Sequence, residues 1–153
     1  PLHEQETSQI ASEMRFYPDA MPRFPNEPTR DRFMIAFVGD GVGEGVMSLT
    51  EFAPGDIVFA FTGFFSAEIT QFSLQVKEGL HLHDPYFYGK ILHSCDPKTY
   101  VDIEKRLFIA TKPIYPNDFV TMDYAQTEDY LFRTFPCSCG SLNCRGVVKG
   151  RKQ

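Results

Sequence analysis

The chain has 153 residues, a formal net charge of −5, 42% apolar residues and 14% aromatic residues, with 15 Phe and no Trp. This length is typical of one domain, and the apolar content excludes a disordered chain. Because the net charge is negative and no long basic run occurs, we expect no nucleic-acid partner. We also expect no membrane partner, because no stretch approaches the roughly 20 apolar residues that a spanning helix needs.

The first segment, residues 1–31, is predicted to be an N-terminal arm. Four prolines divide it: Pro18, Pro22, Pro25 and Pro28. They forbid a long helix after about Met14 and leave room only for a short helix over residues 7–14. The segment lacks the charged start and apolar run of a signal peptide. We therefore expect an intracellular protein, nuclear or cytoplasmic, whose cysteines serve metal or redox chemistry rather than structural disulfides.

From Arg32 onward, short runs rich in β-branched and aromatic residues alternate with Gly, Pro, Asn and Asp. Five of these runs predict strands: residues 32–39, 56–63, 71–76, 106–114 and 118–124. Residues 127–134 begin with Thr followed by two acidic residues, which predicts either one or two helical turns or a polar loop. The sequence therefore predicts a mainly β domain of several small sheets with few short helices.

The glycine-rich segment GDGVGEGVMSL, residues 39–49, does not indicate a phosphate-binding loop. Gly41, Gly43 and Gly45 approach the spacing G-x-G-x-x-G without matching it, and no Lys-Ser/Thr pair follows. Two interpretations stay open. The segment is either a plain turn between two strands or a place where missing side chains let backbone groups approach a flat ligand.

Three of the four cysteines lie in FPCSCGSLNCRG, residues 135–146. Cys137, Cys139 and Cys144 have the spacing C-x-C-x4-C, and a disulfide between the first two would close a very small strained ring. Three thiolates leave a tetrahedral zinc site one ligand short. Cys95 is the economical fourth ligand, although a zinc knuckle that takes a histidine or water instead stays open. We expect a structural zinc ion with four cysteine ligands, because such a site offers no open position to a substrate.

Four blocks of the chain, in this order, resemble a SET domain followed by a post-SET zinc motif: residues 43–63, 91–98, 106–124 and 135–146. The corresponding family patterns are G-x-G-V…I-x-x-G-x-x-I…Y-x-G-E, I-N-H-S-C-D-P-N, an apolar strand leading to E-L-T-F-D-Y, and F-x-C-x-C-G-x-x-x-C-R-G. Residues 71–85 also look like the middle of the short free-standing SET proteins. The resemblance implies a SET domain over residues 32–134, with a threaded C-terminal segment, and a post-SET zinc motif over residues 135–150.

The resemblance implies a methyltransferase that uses S-adenosylmethionine and acts on a lysine side chain of a protein. In this family the two substrates enter from opposite faces and meet in a narrow channel. The implied donor-binding residues are Glu44, Gly45, Val46, Leu92, His93, Phe135 and Leu142. The implied channel residues are Phe61, Met122 and Tyr124, and Tyr124 aligns with the tyrosine at the transfer point. The zinc ligands implied by the family are Cys95, Cys137, Cys139 and Cys144.

Several residues depart from the family pattern. Leu92 takes the place of an asparagine whose polar groups help to bind the donor, and Phe61, Phe64 and Lys98 stand where Tyr, Glu and Asn are frequent. Met122 has no hydroxyl that could hold a water or restrain the amine, which predicts that higher methylation states are permitted. Leu92 and Phe61 favour an alternative, a divergent SET protein that acts on a small molecule or binds a ligand or partner without methylating protein lysine. A basic peptide tail, such as that of a histone, suits the acidic chain, whereas the oligomeric state cannot be read from the sequence.

Overall fold

Short strands dominate the fold. A computed structural model of the chain describes residues 10–39 and 42–153. The strands are β1 (Phe33–Gly39), β2 (Gly43–Ser48), β3 (Ile57–Ala60), β4 (Phe64–Ser66), β5 (Ser73–Lys77), β6 (Leu80–His83), β7 (Leu92–His93), β8 (Thr99–Asp102), β9 (Leu107–Ala110), β10 (Thr121–Met122), β11 (Phe135–Pro136) and β12 (Val147–Val148). Three short 3-10 helices accompany them: Ser12–Met14, Tyr88–Lys90 and Tyr124–Gln126. The predicted mainly β class is confirmed. None of the described helices has the length and apolar composition that crossing a membrane requires.

The strands form five small sheets. Three are two-stranded, β1-β2, β10-β7 and β11-β12, and two are three-stranded, β3-β9-β8 and β4-β6-β5. Most pairs are antiparallel, but β7 and β10 run parallel, with Leu92 opposite Thr121 and His93 opposite Met122. A parallel pair cannot be closed by a tight turn, so the pair joins segments that are distant in sequence. This pairing brings residues 91–98 beside residues 118–124.

Each of the five runs that predict strands contains a strand. In the last run, however, the strand covers only a small part of the predicted range. Within residues 118–124 only Thr121–Met122 is strand. The Asp123 carboxylate accepts a hydrogen bond from the Ala125 backbone N–H and caps the 3-10 helix that begins at Tyr124. This local capping bond ends the strand two residues earlier than the β-rich composition predicts.

The helix predicted as one reading of residues 127–134 does not form. Glu128 is buried, and its Oε2 atom accepts a hydrogen bond of 2.7 Å from the Gln75 backbone N–H. The Asp129 N–H donates to Gln75 Oε1 at 2.8 Å. These bonds hold Glu128 and Asp129 beside β5, so tertiary contacts override the local helix signal. The loop alternative is the correct one, although part of this loop is buried.

The core is built from aromatic side chains. Phe33, Phe59, Phe87 and Phe108 are all fully buried. The Phe59 and Phe108 rings stack with centroids 4.5 Å apart, and the Phe59 and Phe87 rings meet edge to face at 4.8 Å. Such pairs add about 0.5–1.5 kcal/mol each beyond the burial of their surface. Because these residues come from β1, β3, β9 and the segment after β6, one cluster holds several small sheets together.

The described part of the N-terminal arm packs into this core. Arg15 Nε and Glu27 Oε2 lie 2.6 Å apart, and both side chains are fully buried. The Phe16 ring lies 4.7 Å from the Phe87 ring, and the Tyr17 hydroxyl donates to Asp84 at 2.6 Å. Of the short helix predicted over residues 7–14, residues 7–9 lie outside the described residues. The rest contains only the 3-10 helix Ser12–Met14.

Candidate functional site

The four cysteines form one cluster. Their sulfur atoms all lie within 4.8 Å of one another, and the Sγ atoms of Cys95 and Cys137 are 3.8 Å apart. Four thiolates at about 2.3 Å from a tetrahedral zinc ion would be separated by about 3.8 Å. The donor set and its spacing therefore fit a metal ion, and Cys95 joins the three C-terminal cysteines as the sequence predicts.

Turns and polar contacts shape the backbone around the cluster. Gly140 and Gly146 have φ angles of +73° and +83°, which glycine adopts without strain. The Arg145 N–H donates to Cys95 Sγ at 3.3 Å, and the Asn143 side chain donates to the Cys95 carbonyl at 3.0 Å. The segment is thus tied to Cys95 by its backbone as well as by its thiols.

The thiols differ in acidity. Burial raises the pKa of Cys137 to about 12. The hydrogen bond with the Ser141 hydroxyl lowers the pKa of Cys139 to about 5. Metal ligation requires the thiolate form, and a bound cation favours that form in every ligand. Cys139 is therefore the member of the cluster that is already disposed to ionise.

A cavity of about 1140 Å³ adjoins the cluster, and Cys137 and Cys139 belong to its wall. It exceeds the usual 300–1,000 Å³ of small-molecule sites and can hold a nucleoside-sized ligand together with part of a second one. Six of the predicted donor and channel residues line it: Glu44, Leu92, His93, Met122, Tyr124 and Phe135. The parallel pairing of β7 and β10 is what brings Leu92, His93 and Met122 to this wall.

Four other predicted residues do not line the cavity. Val46 is fully buried, and its carbonyl accepts a hydrogen bond from the Val120 N–H at 2.8 Å. Phe61 is a core residue whose ring lies 5.0 Å from that of Tyr88, a residue of the cavity wall. Leu142 is fully exposed to solvent. Gly45 lies behind the wall, against Leu92.

The contact between Gly45 and Leu92 explains one glycine of the segment 39–49. A Cβ atom at Gly45 would lie 2.9 Å from Leu92 Cδ1 and 3.1 Å from Phe119 Cδ1, which is too close without displacement. Gly43 and Gly45 belong to β2 rather than to a turn, and Gly41 lies outside the described residues. Leu92 thus makes an apolar contact at the position where the family has a polar amide.

Tyr124 presents an oxygen acceptor at the cavity wall. Its hydroxyl donates to the Ile91 carbonyl at 2.5 Å. Burial, helped by the negative charge of Glu128, raises the pKa of Tyr124. The phenol therefore stays protonated, and its proton is committed to Ile91. The lone pairs of the oxygen remain able to accept a hydrogen bond, so Tyr124 can orient a ligand but is not a base.

His93 lies between Tyr124 and the cysteine cluster. The Tyr124 backbone N–H donates to His93 Nδ1 at 3.1 Å, which assigns the proton of the neutral ring to Nε2. The Nε2 atom lies 3.4 Å from Cys95 Sγ, where it can donate to a thiolate. Burial lowers the pKa of His93 and favours this neutral form. Both ring nitrogens of His93 therefore contact groups of the protein itself, the Tyr124 N–H and the Cys95 sulfur.

Further cavity residues carry no signal in the sequence. Lys90 Nζ lies 3.1 Å from Glu44 Oε1, and both side chains line the cavity. Tyr88 and Glu128 also line it, and burial raises the pKa of the Glu128 carboxyl. Lys90, Tyr88 and Glu128 reach the cavity through contacts between distant segments, so local composition could not reveal them.

Comparisons with known proteins add the following similarities. No protein-family model matches the chain. The human "Histone-lysine N-methyltransferase SETD1B" is 29% identical over 133 residues, which are 82% of this chain and 6% of that protein. The chain thus spans only 6% of the length of this relative. A crystal structure of KRYPTONITE in complex with mCHG DNA and SAH is 25% identical with a TM-score of 0.62, over 76% of this chain and 29% of that chain. Arabidopsis thaliana SUVH6 in complex with SAM, 18% identical with a TM-score of 0.61, covers 76% of this chain and 33% of that chain and shares the fold.

Proposed function

We propose that the chain is a SET-domain protein with a post-SET cysteine motif and that it transfers a methyl group from S-adenosylmethionine to a lysine side chain of a protein. The observation that carries the proposal is Tyr124. Its hydroxyl donates to Ile91 and keeps an acceptor oxygen at the wall of a cavity that the predicted donor and channel residues share. The cavity also has room for parts of two ligands.

We propose that Glu44, Lys90, Leu92, His93 and Phe135 hold the methyl donor. S-adenosylmethionine supplies a methyl group attached to a sulfonium. Its amino-acid end carries one positive and one negative charge, which suits the paired charges of Glu44 and Lys90. Leu92 can contribute only its backbone, and the half-exposed ring of Phe135 offers an apolar surface to adenine. Gly45, Val46 and Leu142 do not line the cavity, so the proposal for Gly45 and Val46 concerns their backbone, and the contact of Leu142 with the donor stays a prediction.

The lysine is proposed to enter beside Met122, Tyr88 and Tyr124. A free lysine has a pKa near 10.4, so only about one in a thousand is neutral and nucleophilic at pH 7. Burial against these apolar walls, together with the positive sulfonium, lowers that pKa. The Tyr124 oxygen then accepts a hydrogen bond from the amine and orients it. Because the phenol stays protonated, this residue positions the amine without removing its proton.

We propose that the cysteine cluster holds one structural zinc ion, which the close approach of its four sulfurs supports. A basic peptide, such as a histone tail, suits the acidic chain, and the SETD1B name supports a histone substrate. Because the SETD1B relative is named a histone-lysine methyltransferase, we also propose an intracellular location. The absence of a nucleic-acid partner stays a prediction, since the KRYPTONITE structure contains DNA.

A second candidate function follows from Leu92. Because its side chain is apolar, the site lacks the amide that the family uses for the donor. This departure favours a divergent protein that acts on a small molecule or binds a partner. Both candidates share the same cavity, so an assay of the product has to separate them.

The test incubates the chain with labelled S-adenosylmethionine, peptide arrays and a cell extract. We expect label on protein lysine, with di- or trimethyl-lysine visible by mass spectrometry because Met122 does not restrain the amine. Tyr124→Phe should lower the rate at least about 100-fold and change donor affinity less than twofold. Label found only on small molecules would support the second candidate, and full activity of Tyr124→Phe would show that the centre is misassigned.

A further inference from the structure

We propose that Arg145 is a positioning residue whose ion pair with Asp123 transmits the order of the cysteine cluster to Tyr124. Its relevance to catalysis rests on the proposed function. The physical coupling does not, because it concerns a metal site and a short helix that can be observed without methyl transfer.

Arg145 contacts both sites at once. Its backbone N–H donates to Cys95 Sγ at 3.3 Å. Its guanidinium binds Asp123 with two hydrogen bonds, from Nη1 to Oδ2 at 2.8 Å and from Nη2 to Oδ1 at 2.6 Å. A two-pronged bond of this kind fixes direction as well as distance. The residue that contacts the sulfur through its backbone therefore also orients the Asp123 carboxylate.

Asp123 in turn controls the start of the helix that carries Tyr124. Its Oδ1 atom accepts the Ala125 N–H at 3.0 Å, which is the cap of the 3-10 helix Tyr124–Gln126. A second connection runs through His93, which touches Cys95 with one ring nitrogen and the Tyr124 N–H with the other. Two short routes thus join the cluster to the residue at the cavity wall.

Unlike an ordinary surface ion pair, the Arg145–Asp123 pair joins the cysteine cluster to the cap of the helix that carries Tyr124. The Arg145 side chain is 47% exposed and that of Asp123 is 22% exposed, so the pair contributes little to global stability. Residues around the cluster bury few apolar side chains, so loss of the metal should release the Arg145 backbone from Cys95. The Arg145 backbone would then no longer hold the guanidinium at Asp123, and the hydrogen bond that caps the helix would open more often.

The experiment measures amide hydrogen exchange at Ala125 and Gln126 in the full chain, first loaded with zinc and then stripped by a chelator. We expect exchange at these amides to be at least about fivefold faster after zinc removal. In the zinc-loaded Arg145→Met and Asp123→Asn variants, exchange should already be fast and should change less than twofold on zinc removal. Asp123→Asn leaves every cysteine ligand and the side-chain acceptor for Ala125 in place, so it tests the pair even if Arg145→Met binds zinc poorly.

Arg23→Met is the control. Its guanidinium binds arm residues, donating to the Ile10 carbonyl at 2.6 Å and lying 3.9 Å from Asp19 in another Arg–Asp pair. Arg151 is unsuitable because its guanidinium donates to the Gln126 carbonyl of the reporter helix at 2.9 Å. We expect Arg23→Met to keep the slow exchange of the zinc-loaded wild type. Wild-type exchange in both Arg145→Met and Asp123→Asn, equal loosening by Arg23→Met, or a wild-type chain that retains no zinc would each overturn the proposal.

A titration with S-adenosylhomocysteine separates this proposal from the proposed function. If the coupling serves catalysis, zinc removal should weaken ligand binding at least about fivefold in the wild type and by a smaller factor in Asp123→Asn, in which only the loss of the cavity wall remains. If the wild type binds no ligand, the methyltransferase proposal fails, while the exchange rates still decide whether Arg145 links the cluster to Tyr124.

Discussion

The aromatic core and the cysteine segment, residues 135–150, are stabilised in different ways. In the core, Phe59 and Phe108 are buried and their rings stack at 4.5 Å. In the cysteine segment, Phe135, Leu142 and Val147 are exposed, and Val148 is the buried hydrophobic residue. Burial of apolar surface is the main source of folding free energy, and the segment has little of it. The core can therefore hold its shape without a ligand, whereas the segment depends on its thiolates and a metal.

The cavity lies where these two regions meet. Tyr124 packs against the core side, and Phe135 belongs to the cysteine segment, with their ring centroids 6.5 Å apart. A site built in this way can be damaged from either side, but by different means. Substitutions in the core should lower global stability, whereas substitutions at the cluster should release one wall of the cavity and leave the core folded.

The largest effect on stability is expected from Phe59→Ala. Removal of a fully buried ring leaves a cavity in the aromatic cluster and should cost about 3–5 kcal/mol of unfolding free energy. Urea denaturation measures this loss. Phe37→Ala, at a position that is 69% exposed on β1, is the control and should cost less than about 0.5 kcal/mol. Equal costs for the two variants would mean that the aromatic cluster is not the centre of the core.

A slightly smaller effect is expected from Glu27→Gln. The substitution leaves the buried Arg15 guanidinium without its charged partner and should cost about 3 kcal/mol. The same denaturation series applies, with Glu13→Gln as a control at an exposed arm position. If Glu27→Gln is as stable as Glu13→Gln, the arm is not an integral part of the core.

Cys95→Ser should act on the other region. It removes the ligand that comes from outside the cysteine segment, and zinc affinity should fall at least about 100-fold, more than for loss of an outer-shell partner. Competition with a chelator measures the affinity, and urea denaturation should show a nearly unchanged transition of the core. Ser138→Ala, within the segment but not a ligand, should retain zinc. Unaltered zinc content and affinity in Cys95→Ser would detach Cys95 from the cluster.

The smallest effect concerns the buried Glu128 on the core side of the cavity. Burial raises the pKa of Glu128 above its ordinary value of 4.5 despite hydrogen bonds from the Gln75 N–H and the Thr127 hydroxyl. A raised folded-state pKa stabilises the protein below the unfolded pKa, and this stabilisation is lost as the pH rises through the folded value. The unfolding free energy of the wild type relative to Glu128→Gln should therefore decrease as the pH rises above 4.5. A difference that is constant or grows with pH would contradict this assignment.

The sequence predicted the cysteine cluster because only a few residue types can bind a metal ion. It also predicted six residues of the cavity wall, because the family motifs that contain them are recognisable. Cys95 and the three C-terminal cysteines had few other roles available to them. The β-rich runs likewise predicted β1, β3, β5 and β9. What the sequence left open has a common cause in contacts between distant segments. Hydrogen bonds to Gln75 decide between the helix and the loop after Thr127 in favour of the loop, and the pairing of β1 with β2 accompanies the burial of the Val46 side chain.

Leu142 illustrates the same limit at the cysteine segment. The resemblance implies a contact with the adenine, and the side chain is fully exposed to solvent, so this contact stays a prediction. Lys90, by contrast, lines the cavity beside Glu44 without any motif to mark it. Spacing within a motif predicts which residues share a metal, but not which side chains face the adjoining cavity.

The most direct test of the cavity as a donor site is calorimetric titration of the zinc-loaded chain with S-adenosylmethionine, repeated after the metal has been removed with a chelator. We predict saturable binding of one donor per chain in the loaded protein, and weakened binding once the cysteine segment no longer forms its wall. Absence of binding to the loaded protein at millimolar donor, or binding that is unchanged after metal removal, would contradict the proposal that the core and the cysteine segment together form the donor site.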